Sequence, residues 1–558
     1  MTQMTNAEAA AVLDRYGRLM ELAGENAFRV RAFVRAAETV RDLDRPFGDL
    51  ARSGNLRRVS GIGPAIAAAL TELASTGEYL ALRTLEADVP ATLLDVVAVP
   101  GLGAKTASRL FHELGIADLD ALTRAADAGH IRALAGLGAK TEERILAGIA
   151  ALARRSGRHR LGLLLPAGRR LVATIGSVLP PNTSVALAGS VRRMEETGAD
   201  LDLVVGVADT QSATRAIEEM PEVARSTVLG MGTLRLRMQS GLDADVFVVR
   251  QDAFGTALVR ATGPEAHLDL LGDPLPVAPD ETAVYAALGM AWIPPELRQG
   301  RDEVALARAG TLPRLVTVAD IRGEFHSHTT WSDGAGSVAE MAAAARAAGY
   351  DFLGISDHTR GLGVANGLDA GRLAAQRTEI ASVNPGPVRI FAGAEVEVAR
   401  DGRLDFDDPT LAALDVVIAS LHVGLRQPRS QLTERLISVL ENPHVDIVAH
   451  PSGRLIERRE GGDFAWDRVF ASAAHAGTAL EINADPARLD LNGDLARQAL
   501  AAGCLLTING DAHHPSFAQI EYGVATARRA GASAEQILNC WSVDQVSAWL
   551  ADRGGSGR

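Results

Sequence analysis

Residues 323–334 read GEFHSHTTWSDG, and five segments of the same chemical kind follow: ISDH (355–358), GAEVEV (393–398), SLH (420–422), AHPSGR (449–454) and GDAHH (510–514). Neutral imidazole and ionised carboxylate are the side chains that hold divalent transition ions. Their recurrence predicts a cluster of metals in this part of the chain. The same region repeats short apolar runs, FLGIS, VRIFAGAEV, VVIASLH, VDIVAH, TALEIN and LLTING, each followed by a helix-like stretch, between residues 320 and 550. That cadence argues a parallel β/α arrangement closing into a barrel. Groups placed just after the runs then lie at the strands' C-terminal ends, where barrel active sites sit.

Ahead of this region, residues 160–250 mix a helix-like stretch with the strands SVALAG (184–189), LDLVVGV (201–207) and DADVFVV (243–249), an α/β pattern. GSVRRMEETGADLD (189–202) ends in Asp200 and Asp202, two residues apart and therefore on one face of a strand. With Asp245 from another strand they can hold two magnesium ions about 3.5–4 Å apart. Gly189 and Ser190 let backbone donors approach a triphosphate, and Arg193 balances its charge. A lone D-x-D is more often a solvated pair at a strand edge. The GS…RR prelude and the elements upstream favour the functional reading. From Phe254 to Ala305 the pattern is helical and irregular.

Residues 5–150 read as helices with Gly-centred turns. VSGIGPAIAAAL (59–70), VPGLGAKTASRL (99–110) and LAGLGAKTEERI (134–145) share one frame, a G-hydrophobic-G turn before an Ala-rich helix. Glycine supplies positive φ, and the helix start presents unpaired N–H groups to an anion. One such turn is usually a plain helical hairpin. Three in the same frame point to phosphate-binding helix-hairpin-helix elements, built on Gly61, Gly63, Gly101, Gly103, Gly136 and Gly138. Lys105 and Lys140 occupy equivalent positions, where the first copy has Ala65. A basic run, ARRSGRHR (153–160), follows.

A length of 558 residues suggests about three or four domains. No run of 18 apolar residues offers a membrane span and no secretory leader is visible, so a soluble protein without a membrane partner is expected. Cys504 and Cys540 are too few for a disulfide framework, which favours the cytoplasm. The net charge of −13 by itself argues against nucleic acid, but it is unevenly placed. Residues 1–160 hold 21 Lys+Arg against 19 Asp+Glu, and the remainder 35 against 50. The acidic excess thus falls where carboxylates are expected to bind cations.

GENAFRVRAFVRAAETV (24–40), the hairpin copies, GSVRRMEETGADLD, ALGMAWIPPELRQGRDEVALA (287–307) and the C-terminal metal segments together resemble the bacterial X-family DNA polymerases that carry a polymerase-and-histidinol-phosphatase (PHP) domain. The resemblance implies a multidomain chain. Its expected parts are an all-α helix-hairpin-helix region (1–85 and a fingers-like 86–152), an α/β nucleotidyltransferase palm (160–250), a shortened thumb and linker (251–315) and a distorted (β/α) PHP barrel (320–552). It also implies a nine-ligand centre: His326, His328, Asp333, His358, Glu395, His422, His450, Asp511 and His513. Up to three ions are expected there, manganese with zinc or iron as alternatives, and magnesium or manganese in the palm. Arg454 is placed to grip a phosphate oxygen. His444 and His475 match no ligand segment, and His514 only neighbours one.

Two departures from the family pattern stand out. The position of the family's Schiff-base lysine is Ala69, which argues against lyase chemistry. Arg260, Ala261, Thr262, Gly263 and Pro264 replace the family's Tyr-Phe-Thr-Gly-Ser, and Leu268 replaces an asparagine, which weakens nucleotide positioning. The expected function is DNA repair by a monomer acting on gapped DNA or 3′ ends, with 3′–5′ exonuclease or 3′-phosphoesterase activity in the barrel. Gap filling from dNTPs by Asp200, Asp202 and Asp245 is a second activity. The alternatives are a small-molecule phosphoesterase of the histidinol-phosphatase type and a noncatalytic DNA-end scaffold.

Overall fold

The computed structural model describes residues 4–555 apart from Asp42, Asp44, Arg45, Pro100, Ala135, Ser156, Met231 and Pro385. Pro100 and Ala135 belong to two hairpin segments and Ser156 to the basic run, so those positions lie outside the described residues. The chain divides into two compact units, Met1–Arg158 with Glu218–Leu229 and Arg235–Ala244, and His159–Ile217 with Gly230–Leu234 and Asp245–Arg558.

The N-terminal part of the first unit is helical. Gly61, Gly101 and Gly136 adopt φ of +86°, +93° and +80°, a region that costs other L-residues about 1–2 kcal/mol. Each turn leads into a helix, Pro64–Thr76, Ala104–Leu114 or Ala139–Arg155. The apolar residue between the glycines anchors the turn: Ile62 and Leu102 are buried, and Leu137 packs against the same core. Lys105 and Lys140 stand exposed in the first helical turn. Ala69 is 1% exposed among the core side chains, so its helix brings a methyl group where the family pattern has an amine.

Seven strands lie between residues 159 and 250: β1 (His159–Arg160), β2 (Ser184–Leu187), β3 (Thr197–Gly198), β4 (Leu201–Val207), β5 (Val223–Gly230), β6 (Thr233–Met238) and β7 (Asp243–Arg250). β1 pairs with β3. β2 runs antiparallel to β4 with Leu187 opposite Leu203, and β7 flanks β4 on its other side. The Leu161–Val178 helix is long and apolar enough to cross a membrane by length and composition, with mean hydropathy 1.2. Arg169 and Arg170 interrupt it, which is why the sequence shows no unbroken apolar run. It packs on the sheet at Gly168, where a Cβ would come 2.7 Å from Leu187 Cδ2.

Residues 254–309 form four short helices around a separate core that includes Val259, Val284, Tyr285, Ile293 and Val304. Glu281 ties this core to the α/β region, accepting two hydrogen bonds of 2.7 Å from Arg192 and two of 2.8 and 3.0 Å from the fully buried Arg298.

The C-terminal region is a parallel sheet of seven strands that nearly closes: β8 (Gly323–Glu324), β9 (Phe352–Ile355), β10 (Arg389–Glu397), β11 (Val416–Ser420), β12 (Ile447–Val448), β13 (Ala479–Asn483) and β14 (Leu506–Asn509), paired in sequence order. A parallel bridge between Ser327 and Ala512 joins the outer strands just beyond their ends. The period of two sorts side chains between two cores. On β10, Ile390, Ala392, Ala394 and Val396 share a core with the helices, while Phe391 joins Phe325, Phe352, Ile418 and Ile447 inside the barrel. Glu395 is in phase with Phe391, so it faces the interior two inward positions nearer the strand ends, beyond Gly393.

Candidate metal centre

All nine expected ligands meet at the C-terminal ends of the barrel strands. His326 and His328 follow β8, His358 follows β9, Glu395 lies within β10, His422 follows β11, His450 follows β12, and Asp511 with His513 follow β14. Asp333 reaches in from the long connection after β8. Three overlapping groups bring their ligand atoms within 4.8 Å of one another: His328, Asp333, His358 and His513; His326, His328 and Glu395; Glu395, His422 and His450. Asp511 joins them, its Oδ1 lying 3.1 Å from His328 Nε2 and 3.6 Å from His326 Nε2. Glu395, 1% exposed, is the hub. Its carboxylate lies 3.5 Å from His326, 3.8 Å from His328, 2.6 Å from His358, 3.6 Å from His422 and 3.1 Å from His450.

The donor set fits divalent cations on its own chemistry. His326 Nε2 and His450 Nδ1 are buried without a hydrogen-bond partner among the described residues, an arrangement costing about 1–3 kcal/mol per group unless a ligand supplies the missing interaction. Burial, then the neighbouring His358, pushes His328 down to about 4. It is therefore neutral at pH 7, the form that ligates metal. Burial opposes ionisation of Glu395, but His358, His326 and His422 hold it well below the usual carboxylate range. Asp333 and His513 form the more open edge, with side-chain exposures of 37% and 35%.

A set of carboxylates that the sequence did not reveal orients the rings. His326 Nδ1 lies 2.8 Å from Glu481 on β13, and His422 Nδ1 lies 2.7 Å from Glu397 on β10. A carboxylate can only accept, so each imidazole donates from Nδ1 and turns Nε2 inward. Asp357 accepts from Thr329 N at 2.7 Å and from Ser332 and Gln376, fixing the loop that carries Asp333. Their strand positions look like ordinary buried residues in sequence. Alternation in phase with Glu395 is the one signal that could have exposed Glu397, and alternation from Asn483 the one for Glu481.

Arg454 follows His450, but its guanidinium is engaged away from the ligands. It donates to Glu196 at 2.9 and 2.7 Å and to the Leu489 carbonyl. Arg488 instead approaches the centre, with Nε 3.7 Å from Asp511 Oδ2. His514 lies beside the ligand His513, while His444 and His475 fall between β11 and β13, away from any ligand segment.

In the palm, Asp200 and Asp202 stand at the start of β4 and Asp245 on the neighbouring β7, all half-buried. Gly189, with φ +60°, lies so close to Asp202 that a Cβ there would sit 1.8 Å from Oδ2. A Cβ at Gly198 would sit 2.6 Å from Ser190 Oγ. Arg193 is partly buried, donating to the Thr262 carbonyl, with Nε 3.6 Å from Glu195. Thr262 thus supports Arg193 through its backbone carbonyl.

Comparison with known proteins agrees with this geometry. Residues 4–79 match the helix-hairpin-helix domain, residues 53–114 and 91–151 the SAM-like helix-hairpin-helix tandem, and residues 324–485 the PHP domain. The barrel is therefore a PHP domain, a metal-dependent hydrolase fold. The chain is 34% identical, over 97% of its length and 98% of the relative's, to DNA polymerase/3'-5' exonuclease PolX of Bacillus subtilis (strain 168). It belongs to the bacterial X-family DNA polymerases with a C-terminal PHP domain. A probable phosphatase of Thermoanaerobacter sp. (strain X514) is 27% identical over 41% of this chain and 94% of its own. One from Acetivibrio thermocellus is 39% identical over 23% of this chain and 52% of its own.

Proposed function

We propose that this chain is a DNA-repair enzyme that processes and refills DNA ends. The barrel cleaves phosphodiesters from 3′ ends and removes 3′-blocking phosphates, the hairpins hold gapped or frayed duplex by its backbone, and the palm adds nucleotides from dNTPs as a second activity. The observation that carries the reading is the hub at Glu395, one buried carboxylate within 3.8 Å of five histidines. The printed activities of the Bacillus subtilis relative, similar along nearly the whole chain, support DNA as substrate.

Divalent ions bound here supply a Lewis acid for a phosphoryl oxygen and lower the pKa of the attacking water. The three overlapping ligand groups support up to three ions; the family resemblance favours manganese, with zinc or iron as alternatives that the ligand types alone do not separate, and Asp200, Asp202 and Asp245 suit magnesium or manganese. Glu481 and Glu397 keep His326 and His422 aimed, and Asp333 and His513 leave the edge through which a strand end enters. In the palm, Gly189 and Ser190 receive the triphosphate and Arg193 balances its charge. Gly61, Gly63, Gly101, Gly103, Gly136 and Gly138, with Lys105 and Lys140, contact DNA phosphates. The working limits are 1–85 and 86–152 for the hairpin regions, 160–250 for the palm, 251–315 for the thumb and 320–552 for the barrel. A monomer in the cytoplasm fits two free cysteines.

A second reading, a small-molecule phosphoesterase, draws on the probable phosphatases that match part of the chain. The hairpin region ahead of the barrel favours DNA. A 3′-labelled primer–template with manganese, with and without dNTPs, tests the assignment by separating shortening, extension and binding. His326→Ala should abolish shortening while leaving a mobility shift; persistent shortening removes the barrel from the account. An Asp200→Ala protein that extends as well as the parent removes the palm.

A further inference from the structure

β13 is the barrel strand that ends without one of the nine ligands. The turn after it carries a cation instead. Asn483 Oδ1 accepts from Asp485 N at 3.0 Å, Asp485 Oδ1 accepts from Ala487 N at 2.9 Å, and Arg488 N donates to the Asp485 carbonyl at 2.7 Å. This tight turn delivers the Arg488 side chain, 16% exposed, to the ligand cluster, where Nε stands 3.7 Å from Asp511 Oδ2. That separation is too long for a hydrogen bond, and Asp511 Oδ2 is already 3.2 Å from Asn483 Nδ2. Nη1 of Arg488 is buried with no hydrogen-bond partner among the described residues. A guanidinium so placed lacks the planar acceptor that its fork geometry matches.

We propose that Arg488 binds the non-bridging oxygens of the phosphate undergoing hydrolysis, the role for which Arg454 is unavailable while Glu196 and the Leu489 carbonyl hold it. The inference rests on the phosphoesterase reading above and adds the group that seats the substrate's phosphorus over the ligands. Phosphate is the shared chemistry of a DNA 3′ end and a small phosphomonoester, and both are served by one guanidinium.

The test uses the full chain loaded with manganese and compares the parent with Arg488→Gln and Arg488→Lys. Titration calorimetry with inorganic phosphate, metal content, and kcat and KM on 3′-labelled DNA and on a small phosphomonoester are measured. Arg488→Gln should keep its metal and bind phosphate roughly ten- to hundredfold more weakly, the loss expected for a charge-assisted contact. Arg488→Lys, which retains the charge, should fall between the two. Unchanged phosphate affinity in Arg488→Gln overturns the proposal. Loss of metal from both variants also overturns it, because Arg488 would then act by holding Asp511. Should the parent bind phosphate through Arg488 yet cleave only the phosphomonoester, the DNA reading fails and the role of Arg488 stands.

Discussion

Glu196 of the palm loop receives both terminal nitrogens of Arg454, at 2.9 and 2.7 Å, across 258 residues of sequence. Beside it, Glu195 pairs with Arg529 at 2.6 Å. The loop that follows Gly189, Ser190 and Arg193 is therefore fastened to the barrel by two adjacent acids. Glu196→Gln should lower unfolding stability by about 1–3 kcal/mol, the range for a charge-assisted hydrogen bond. The same loss should appear in Arg454→Gln and not add in the double variant. A double-mutant cycle on denaturant midpoints checks it; additive losses would show that the two side chains do not act as a pair.

Glu281 sets an acid limit on the palm–thumb junction. Burial opposes its ionisation, but Arg192 and Arg298 outweigh that and bring it down to about 2. A carboxylate depressed on folding contributes stability that is complete above its unfolded value of 4.5 and is lost as pH falls toward about 2. Glu281→Gln leaves the fully buried Arg298 with an uncompensated charge, so a loss of about 3–5 kcal/mol is expected at pH 7. Thermal melts across pH 2–7 should show the parent converging on the variant at the acid end. A gap independent of pH contradicts the assignment.

Glu481 is expected to matter for metal although it is no ligand. Replacing it with glutamine removes the charge that fixes the His326 ring, and loss of such an orienting group typically weakens metal affinity about 10–100-fold. Manganese titration read by calorimetry measures this directly. An affinity equal to the parent's would show that packing alone fixes the ring.

Lys105→Ala combined with Lys140→Ala should weaken binding to all duplex sequences alike. If each ammonium contacts one phosphate, the slope of log K against log salt should become shallower by about 2. Fluorescence anisotropy at several salt concentrations gives the slope, and an unchanged slope places DNA elsewhere on the chain.

The barrel was legible because two periodicities coincide in its sequence. Apolar runs recur at the spacing of strands, and the ligands recur just beyond them, as at SLH and ISDH. The hairpins were legible because Gly61, Gly101 and Gly136 share one frame, and their φ values bear out the turn that frame requires. What escaped is what depends on distant partners. HPSGR reads the same whether Arg454 faces the ligands or faces Glu196, and nothing near Glu196 in sequence marks it as the acceptor. Glu481, within TALEIN, resembles a buried strand residue until β13 is placed beside β14. Arg488 lay in a turn whose shape is set by Asn483 and Asp485, a local geometry without a recurring sequence pattern.

The crowding at Gly189 has a consequence for how this protein can vary among descendants. Asp202 fills the volume in which any larger residue at 189 would put its first carbon. An alanine at 189 would therefore force the Asp202 side chain to move. Even with a smaller residue at 202, the φ of +60° at Gly189 would keep the strain of a left-handed backbone on any side chain placed there.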